Sequence, residues 1–132
     1  MILLEDALKI VADSARILPH ESVGLDEAFL RILAKDMESD MDMPPFNKSA
    51  MDGYACRRAD LSNKLLVIET IQAGRAPTKI IGKNQCAKIM TGAPVPEGAD
   101  CVIMVEYTEQ CGDGTVRFTA ENTRDNICAK GE

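Results

Sequence analysis

The first group of residues that could do chemistry lies in the stretch PPFNKSAMDGYA, residues 44–55. Asp52 is followed directly by Gly53, so a carboxylate stands on a tight backbone, with Lys48 and Ser49 shortly before it. A carboxylate on a stiff loop is a natural ligand for Mg²⁺, a hard cation that prefers oxygen, and it could also orient a water or a polar substrate group. The alternative is an ordinary turn acid that satisfies backbone N–H groups. These residues alone leave both interpretations open.

A second candidate loop, IMTGAPVPEGAD, spans residues 89–100. The apolar residues before it indicate a strand that ends near Thr91, and Gly92 lets the backbone approach a ligand closely. Successive N–H groups in such a loop can form a nest that binds an anion, to which the Thr91 hydroxyl would add a donor. It is not a Walker loop, because the pattern GxxxxGK[ST] is absent. The alternative is a connection between strands that Pro94 and Pro96 stiffen.

Other catalytic and metal-binding patterns lack the residues that they need. One histidine and five cysteines without a CxxC pair argue against a Ser-His-Asp triad and against a structural zinc site. Reduced thiols are expected rather than a disulfide framework. The N-terminus carries acidic residues where a signal peptide would carry basic ones, and no apolar run approaches the ~18 residues of a membrane-spanning helix. We therefore expect a cytoplasmic protein that does not bind a membrane.

The charge of the chain is unevenly distributed. The 132 residues include 21 acidic and 15 basic ones, a net charge of -6, which argues against a nucleic-acid binder that relies on a basic surface. Residues 1–43 hold 10 acids and 4 bases, whereas residues 44–132 hold 11 of each. An anionic small substrate is therefore better placed in the second part than in the acidic first part.

Two kinds of apolar pattern predict the elements that position these loops. Apolar residues recur at steps of three and four over residues 4–18 and again over 26–37, which predicts two amphipathic helices and a mostly helical stretch 4–37. From residue 65 the apolar runs are short and β-branched, which predicts a mostly β region over 65–128. The predicted strands lie at 65–71, 87–90, 101–105 and 127–128, with a hairpin turn at Asp113-Gly114. This order of elements is typical of the α+β class.

The two loops together resemble the N-terminal portion of the molybdopterin molybdenumtransferase family, bacterial enzymes related to gephyrin. PPFNKSAMDGYA resembles the family signature PPF-x-x-SAMDGYA, and IMTGAPVPEGADCVIMVE resembles IMTGAPxPxGADxVxxxE. LDEAFLRILAKDM, the Ala73-Gly74 turn and residues 122–132 resemble further family segments in the same order, so the resemblance covers essentially the whole chain. Leu30 and Asn47 depart from the glycine and the aspartate that are common at these positions, and Asn47 removes one possible cation ligand.

The resemblance implies a specific reaction and specific site residues. Enzymes of this family join molybdate to adenylylated molybdopterin, release AMP and form molybdenum cofactor, with Mg²⁺ or a similar cation. Asp52 and Thr91 correspond to catalytic residues, and Asp52 to the metal ligand. Ser49, Gly53 and Gly92 correspond to substrate-binding positions in the two motifs. The family forms homodimers in which the active cleft is shared between subunits, so these partners are expected here too.

The resemblance also implies how the chain is organised. It predicts an N-terminal helical part over residues 1–45 and a β-rich lobe of curled, branching sheets over 46–132. The catalytic α/β domain and the C-terminal domain of the family are expected to be absent, so the chain alone is expected to be inactive. A non-catalytic scaffold or binding module with the same fold, as in gephyrin-like proteins, is the main alternative, and a preference for tungsten over molybdenum is not separable from the sequence.

Overall fold

The computed structural model describes residues 2–132, which divide into two compact units. The first unit ends at Glu38, and the second is Ser39–Glu132. Among these residues no helix combines the length and the apolar character that a membrane crossing requires.

The division between the units falls seven residues before the predicted boundary at 45/46. Residues 39–45 belong to the second unit because they contact its C-terminal end. The Gly131 N–H donates to the Pro44 carbonyl oxygen over 3.0 Å, and the Lys130 ammonium lies 3.1 Å from the Asp42 carboxylate. Residues 39–45 carry no helical pattern, which agrees with a division at Glu38 better than with one at 45/46.

Within residues 2–38 the first unit contains one α-helix, α1, at Leu4–Ser14, and a single 3₁₀ turn at Leu25–Glu27. The prediction that residues 4–37 are mostly helical is therefore wrong, and so is the second helix at 26–37. Leu30 adopts a left-handed backbone with φ of 64°, which a right-handed helix does not accommodate. Most of the apolar side chains in this segment are exposed, so nothing within the unit packs against an amphipathic face and stabilises it as a helix.

The second unit contains eight strands. They are β1 Lys48–Ser49, β2 Gly53–Cys56, β3 Lys64–Ile71, β4 Gln85–Ile89, β5 Cys101–Met104, β6 Thr108–Gln110, β7 Thr115–Phe118 and β8 Ile127–Cys128. Six of them form a curled mixed sheet in the order β5-β2-β4-β3-β7-β6, and β1 pairs with β8 in a separate two-stranded sheet. Only β3 and β4 run parallel to each other, and all other pairs are antiparallel. The predicted α+β class with a β-rich lobe is confirmed.

The predicted strands correspond closely to β3, β4, β5 and β8, and the hairpin is confirmed, because β6 and β7 pair on either side of Asp113-Gly114. The prediction of a mostly β region was too broad, since turns and loops take up more of residues 65–128 than strands do. Strand β2 was missed. All four of its residues are buried, so the alternation of apolar and polar residues that marks a half-exposed strand is absent.

Strand β2 separates two clusters of buried apolar residues, one on each face of the sheet. Tyr54 and Cys56 belong to the first cluster, with residues such as Leu65 and Ile103. Ala55 lies between them in the chain and belongs to the second. Successive side chains of a strand point to opposite faces, so β2 contributes to both halves of the core.

Three cysteines form a row across neighbouring strands in the first cluster. Cys56 is the partner of Cys86 on β4 and of Cys101 on β5, and the Sγ atoms of Cys56 and Cys101 lie 3.7 Å apart. All three are buried, whereas Cys111 and Cys128 are half-buried. Burial raises the pKa of the Cys86 thiol to about 12, so this thiol stays protonated at neutral pH and reacts poorly.

We predict that a thiol reagent such as Ellman's reagent modifies two of the five cysteines of the native protein rapidly. Cys111 and Cys128 should react, because they reach solvent, while the buried row should react only through unfolding. Mass spectrometry of the labelled peptides identifies the sites. All five thiols should react at once in denaturant, which serves as the control. Rapid native labelling of Cys56 or Cys101 would contradict the packing described above.

Candidate functional site

The pairing of two strands brings the two candidate loops together. Gly53 at the start of β2 is the antiparallel partner of Ile89 at the end of β4. Asp52 immediately precedes β2 and Thr91 follows β4 by two residues, so both lie at the same edge of the sheet. The sequence marked them separately, 39 positions apart, and the structure places them in direct contact.

Two hydrogen bonds join Asp52 to Thr91. The Thr91 backbone N–H donates to Asp52 Oδ1 over 2.6 Å, and the Thr91 hydroxyl donates to the same oxygen over 2.7 Å. No hydrogen bond found among residues 2–132 involves Asp52 Oδ2, and both side chains are exposed. The carboxylate is therefore held through one oxygen and presents the other to the solvent.

The Thr91 backbone N–H lowers the pKa of Asp52, the Thr91 hydroxyl lowers it further, and partial desolvation opposes both. Hydrogen bonds to the ionised form favour that form. Asp52 is therefore a carboxylate at neutral pH, the state in which an acidic side chain binds a cation or accepts a hydrogen bond from a substrate.

Hydrogen bonds within the Thr91 loop leave little room for the predicted anion nest. The Thr91 N–H donates to Asp52, the Gly92 N–H to the Ser49 carbonyl oxygen over 2.8 Å, and the Ala93 N–H to the Met90 carbonyl oxygen over 3.0 Å. Three successive amides thus bond inside the protein. The nest interpretation does not fit this geometry, because its donors are already used.

Ser49 connects the two loops through hydrogen bonds. It is buried, and its N–H donates to the Ala93 carbonyl oxygen over 2.9 Å. Its hydroxyl donates to the Met51 carbonyl oxygen over 2.6 Å, which fixes the turn before Asp52. These contacts give Ser49 a framework role, and its predicted role in substrate binding stays a prediction.

The two glycines of the site serve different purposes. Gly92 has a left-handed backbone with φ of 81°, and no atom lies within 4 Å of where a Cβ would stand, so the space in front of the loop is open. A Cβ at Gly53 would lie 1.9 Å from the Ile103 carbonyl oxygen of β5. Gly53 is thus required by strand packing, while its predicted contact with substrate stays a prediction.

The residues present fit a cation only in part. No group of three or more histidine, cysteine, aspartate or glutamate side chains within residues 2–132 is arranged to hold a metal ion. Asp52 offers one oxygen. Mg²⁺ is commonly held by one or two carboxylates together with waters and substrate phosphates, so a single carboxylate suits this ion better than a metal that needs an all-protein cage.

Two asparagines near the site were not recognised as structural from the sequence. Asn126 has a left-handed backbone, its side-chain amide donates to the Val102 carbonyl oxygen over 2.8 Å, and its own carbonyl oxygen accepts from the Ala50 N–H over 2.9 Å. The Asn47 side-chain oxygen accepts from the Lys130 N–H over 2.9 Å. Both tie the Asp52 loop to the C-terminal segment, and only a left-handed preference of Asn126 could have been noticed in advance.

The fold and the paired loops define an N-terminal α+β region with two conjoined motif loops, and comparisons with known proteins show its family. Residues 2–132 match the family described as the MoeA N-terminal region, domains I and II. The chain belongs to this family, as its two motifs had indicated.

Named relatives and a solved structure agree with the family. The chain is 33% identical over 136 residues to a molybdopterin molybdenumtransferase of Staphylococcus aureus strain MRSA252, and this alignment covers 98% of the chain and 32% of the relative. It is 37% identical over 139 residues to one from Staphylococcus epidermidis strain ATCC 12228, covering 99% and 33%. The crystal structure of the molybdopterin biosynthesis moeA protein from Pyrococcus horikoshii OT3 superposes with a TM-score of 0.76 at 34% identity, over 97% of the chain and 36% of that protein. The chain thus spans about a third of the length of its relatives.

We predict that Gly53→Ala destabilises the second unit by at least ~2 kcal/mol, because the new methyl group overlaps the β5 backbone. Gly82→Ala is the matched control, since a Cβ there meets only the flexible Gln85 amide. Equilibrium unfolding in urea measures both. Equal stability of the two variants would show that β2 and β5 are not packed as described.

We predict that Thr91→Val raises the pKa of Asp52 but leaves it below the ordinary value near 3.8, because the backbone donor remains. A lowered folded pKa stabilises the fold above the ordinary value, and this stabilisation is lost as the pH falls through the folded value. The variant should therefore lose less stability on acidification through this range. Carboxyl ¹³C shifts against pH measure the change, and an unaltered Asp52 titration in the variant contradicts it. The pKa of Asp113 should stay the same and is the control.

Proposed function

We propose that the protein containing this chain transfers molybdenum from molybdate to adenylylated molybdopterin, with release of AMP and formation of molybdenum cofactor. The relatives that align with nearly the full chain are named molybdopterin molybdenumtransferase, which supports a role in molybdenum cofactor biosynthesis. The observation that carries the proposal is the Asp52–Thr91 pair, which holds an ionised carboxylate at an exposed edge with one oxygen unused.

Asp52 is proposed as the ligand of Mg²⁺. Its Oδ1 is fixed by Thr91, so the direction of Oδ2 is set before any ligand arrives. When bound, the cation would supply positive charge that stabilises an anionic adenylate and an oxyanion. A preset carboxylate costs less reorganisation than a mobile one, and this favours catalysis as well as binding.

Thr91 is proposed as a positioning residue. Its hydroxyl proton points to Asp52 Oδ1, so it is not available to a substrate while that bond is kept. Thr91 therefore acts through the carboxylate, by keeping it ionised and correctly oriented. Gly92 and Ser49 shape the loop around this pair, with Gly92 leaving space for a ligand.

The exposed apolar side chains of the first unit bear on how the protein assembles. We propose a cytoplasmic homodimer whose active cleft is shared between subunits, and no activity for the 132-residue chain alone. The first unit exposes large apolar side chains, among them Ile17, Leu25, Phe29 and Ile32, at 83% or more of their surface. An apolar surface of this kind is typical of a region that another protein surface covers.

A non-catalytic scaffold is a second candidate, and one observation favours it. The Asp52 carboxylate accepts a hydrogen bond from a backbone N–H, which gives it a structural role that needs no chemistry. If that were its only role, the two loops would be kept for their shape alone. A substitution that separates stability from turnover distinguishes the two candidates.

We predict that Asp52→Asn lowers kcat of the full-length transferase ~10²-fold or more, because a neutral amide positions a cation poorly. Asp113→Asn is the matched control. Asp113 is also exposed, and it accepts hydrogen bonds from the N–H and the hydroxyl of Thr115, the same arrangement as at Asp52. The two variants should lose similar stability, while only Asp52→Asn should lose turnover.

Single-turnover release of AMP and thermal unfolding on the same preparations provide the two measurements. A destabilised Asp52→Asn variant with normal AMP release would show that Asp52 is structural and would favour the scaffold. Loss of turnover in the Asp113 variant to the same degree would show that the effect is not specific to the site.

A further inference from the structure

A cavity of about 320 Å³ lies on the six-stranded sheet, in the second unit. Its floor contains Tyr54 of β2 and Lys88 of β4, which are direct partners across the two strands. Its wall comes from the β6–β7 hairpin, with Gln110, Gly112, Gly114 and Thr115. The register of β2 with β4 and the curl of the sheet thus bring a cation and a phenol beneath a glycine-rich turn.

The charges around this cavity are unbalanced. Lys88 is the only charged residue in the lining, it is half-buried, and it takes part in none of the ion pairs found among residues 2–132. Asp113 lies next to the lining, but its Oδ1 accepts from Thr115 and the nearby Lys64 charge acts on it as well. The lining itself therefore carries one positive charge and no carboxylate, while the Asp113 carboxylate beside it is bonded to Thr115.

Polar groups of the lining are also unused. Tyr54 is 2% exposed, yet no hydrogen bond found among residues 2–132 involves its hydroxyl or the Lys88 ammonium. No side-chain polar atom that is fully buried in this range lacks a partner, so these two groups reach the free space of the cavity. Gly112 and Gly114 have left-handed backbones, and no atom lies within 4 Å of where a Cβ would stand at either position, so the hairpin wall is open there.

We propose that this cavity, the Tyr54–Lys88 cavity, binds a phosphate-class oxyanion, a tetrahedral dianion free or as part of a small ester. A lysine is a point charge that suits a phosphate or sulfate without a fixed fork geometry, and the phenol and glycine amides supply further donors. The volume of the cavity is at the lower end of the volumes of ligand-binding sites, so it suits a small ligand better than a whole nucleotide.

The Tyr54–Lys88 cavity is a different place from the Asp52–Thr91 site. Lys88 precedes Thr91 by three residues, a separation on the order of 10 Å along an extended chain. The proposal requires neither Mg²⁺ nor turnover, so it can fail or succeed independently of the proposed transferase activity.

The chain contains two tyrosines and no tryptophan, so its own fluorescence reports on the cavity. Tyr107 is 47% exposed and lies outside the lining, and Tyr107→Phe leaves Tyr54 as the only emitting residue. Sodium sulfate is titrated into this variant of the 132-residue chain, with sodium chloride at equal ionic strength as the reference. We expect a saturable change of Tyr54 emission with sulfate and with inorganic phosphate, and none with chloride.

Substitutions of two lysines on the Tyr107→Phe background test the assignment. Lys88→Gln should weaken sulfate binding tenfold or more, and Lys88→Arg should retain most of it. Lys83→Gln removes the same charge from an exposed position outside the lining and should bind as the parent does. Sulfate should also shift the amide NMR signals of Gly112 and Gly114 saturably, a readout that needs no Lys88 variant to fold.

Each of four results would overturn the proposal. The first is an emission change that stays linear in sulfate without saturation, and the second is the absence of saturable shifts at Gly112 and Gly114. The third is unaltered affinity in a folded Lys88→Gln variant. The fourth is acetate binding as tightly as sulfate, because the cavity would then not select a tetrahedral dianion.

Discussion

The structure depends most on how β2 fits between β4 and β5. This four-residue strand is buried on both faces and bonded on both edges, and at Gly53 the β5 backbone approaches so closely that no side chain fits. A strand so constrained has one register only, because a shift by one residue would exchange the contents of the two cores. The same register places Asp52 beside Thr91 and Tyr54 beside Lys88.

The position and the ionisation of Asp52 follow from the register of β2 with β4. Asp52 has a lowered pKa although it is exposed, because Thr91 is delivered to it by a neighbouring strand. The two hydrogen bonds stabilise the ionised Asp52 carboxylate locally, so this stabilisation does not require the side chain to be buried in the core. One carboxylate oxygen of Asp52 is bonded by Thr91 and the other is not, so the structural bonds leave one oxygen open to a ligand. The backbone bond taken alone suits a scaffold, and the unused oxygen is the feature that the proposed cation site adds.

The sequence predicted the elements whose patterns are local. β3, β4, β5, β8 and the β6–β7 hairpin were expected because their apolar runs and the Asp-Gly turn lie within a few residues of each other. The helix at 26–37 was wrong because an amphipathic pattern forms a helix only when something covers its face, and Leu30 takes a left-handed backbone instead. β2 was missed because burial on both faces removes the alternation.

The site was predictable only in its components. The two motifs pointed to Asp52 and Thr91, and the family resemblance assigned both to one site. Their spacing in the chain does not show that the Thr91 N–H and hydroxyl donate hydrogen bonds to the Asp52 carboxylate. The anion nest was a reasonable expectation from Gly92, and the structure replaced it, because Ser49 and Met90 already accept the amides of that loop. The Tyr54–Lys88 cavity needed the strand register, which no local pattern contains.

Asp52 and Thr91 are proposed to act as one unit, in which Thr91 works through the carboxylate. A double-mutant cycle on kcat/KM of the proposed transfer reaction, measured on the full-length protein, tests this with Asp52→Asn, Thr91→Val and the double variant. The account predicts that the double variant is no slower than Asp52→Asn alone, because a lost carboxylate leaves Thr91 nothing to position. Losses that multiply in the double variant would contradict the account, since Thr91 would then contribute to the reaction independently of Asp52.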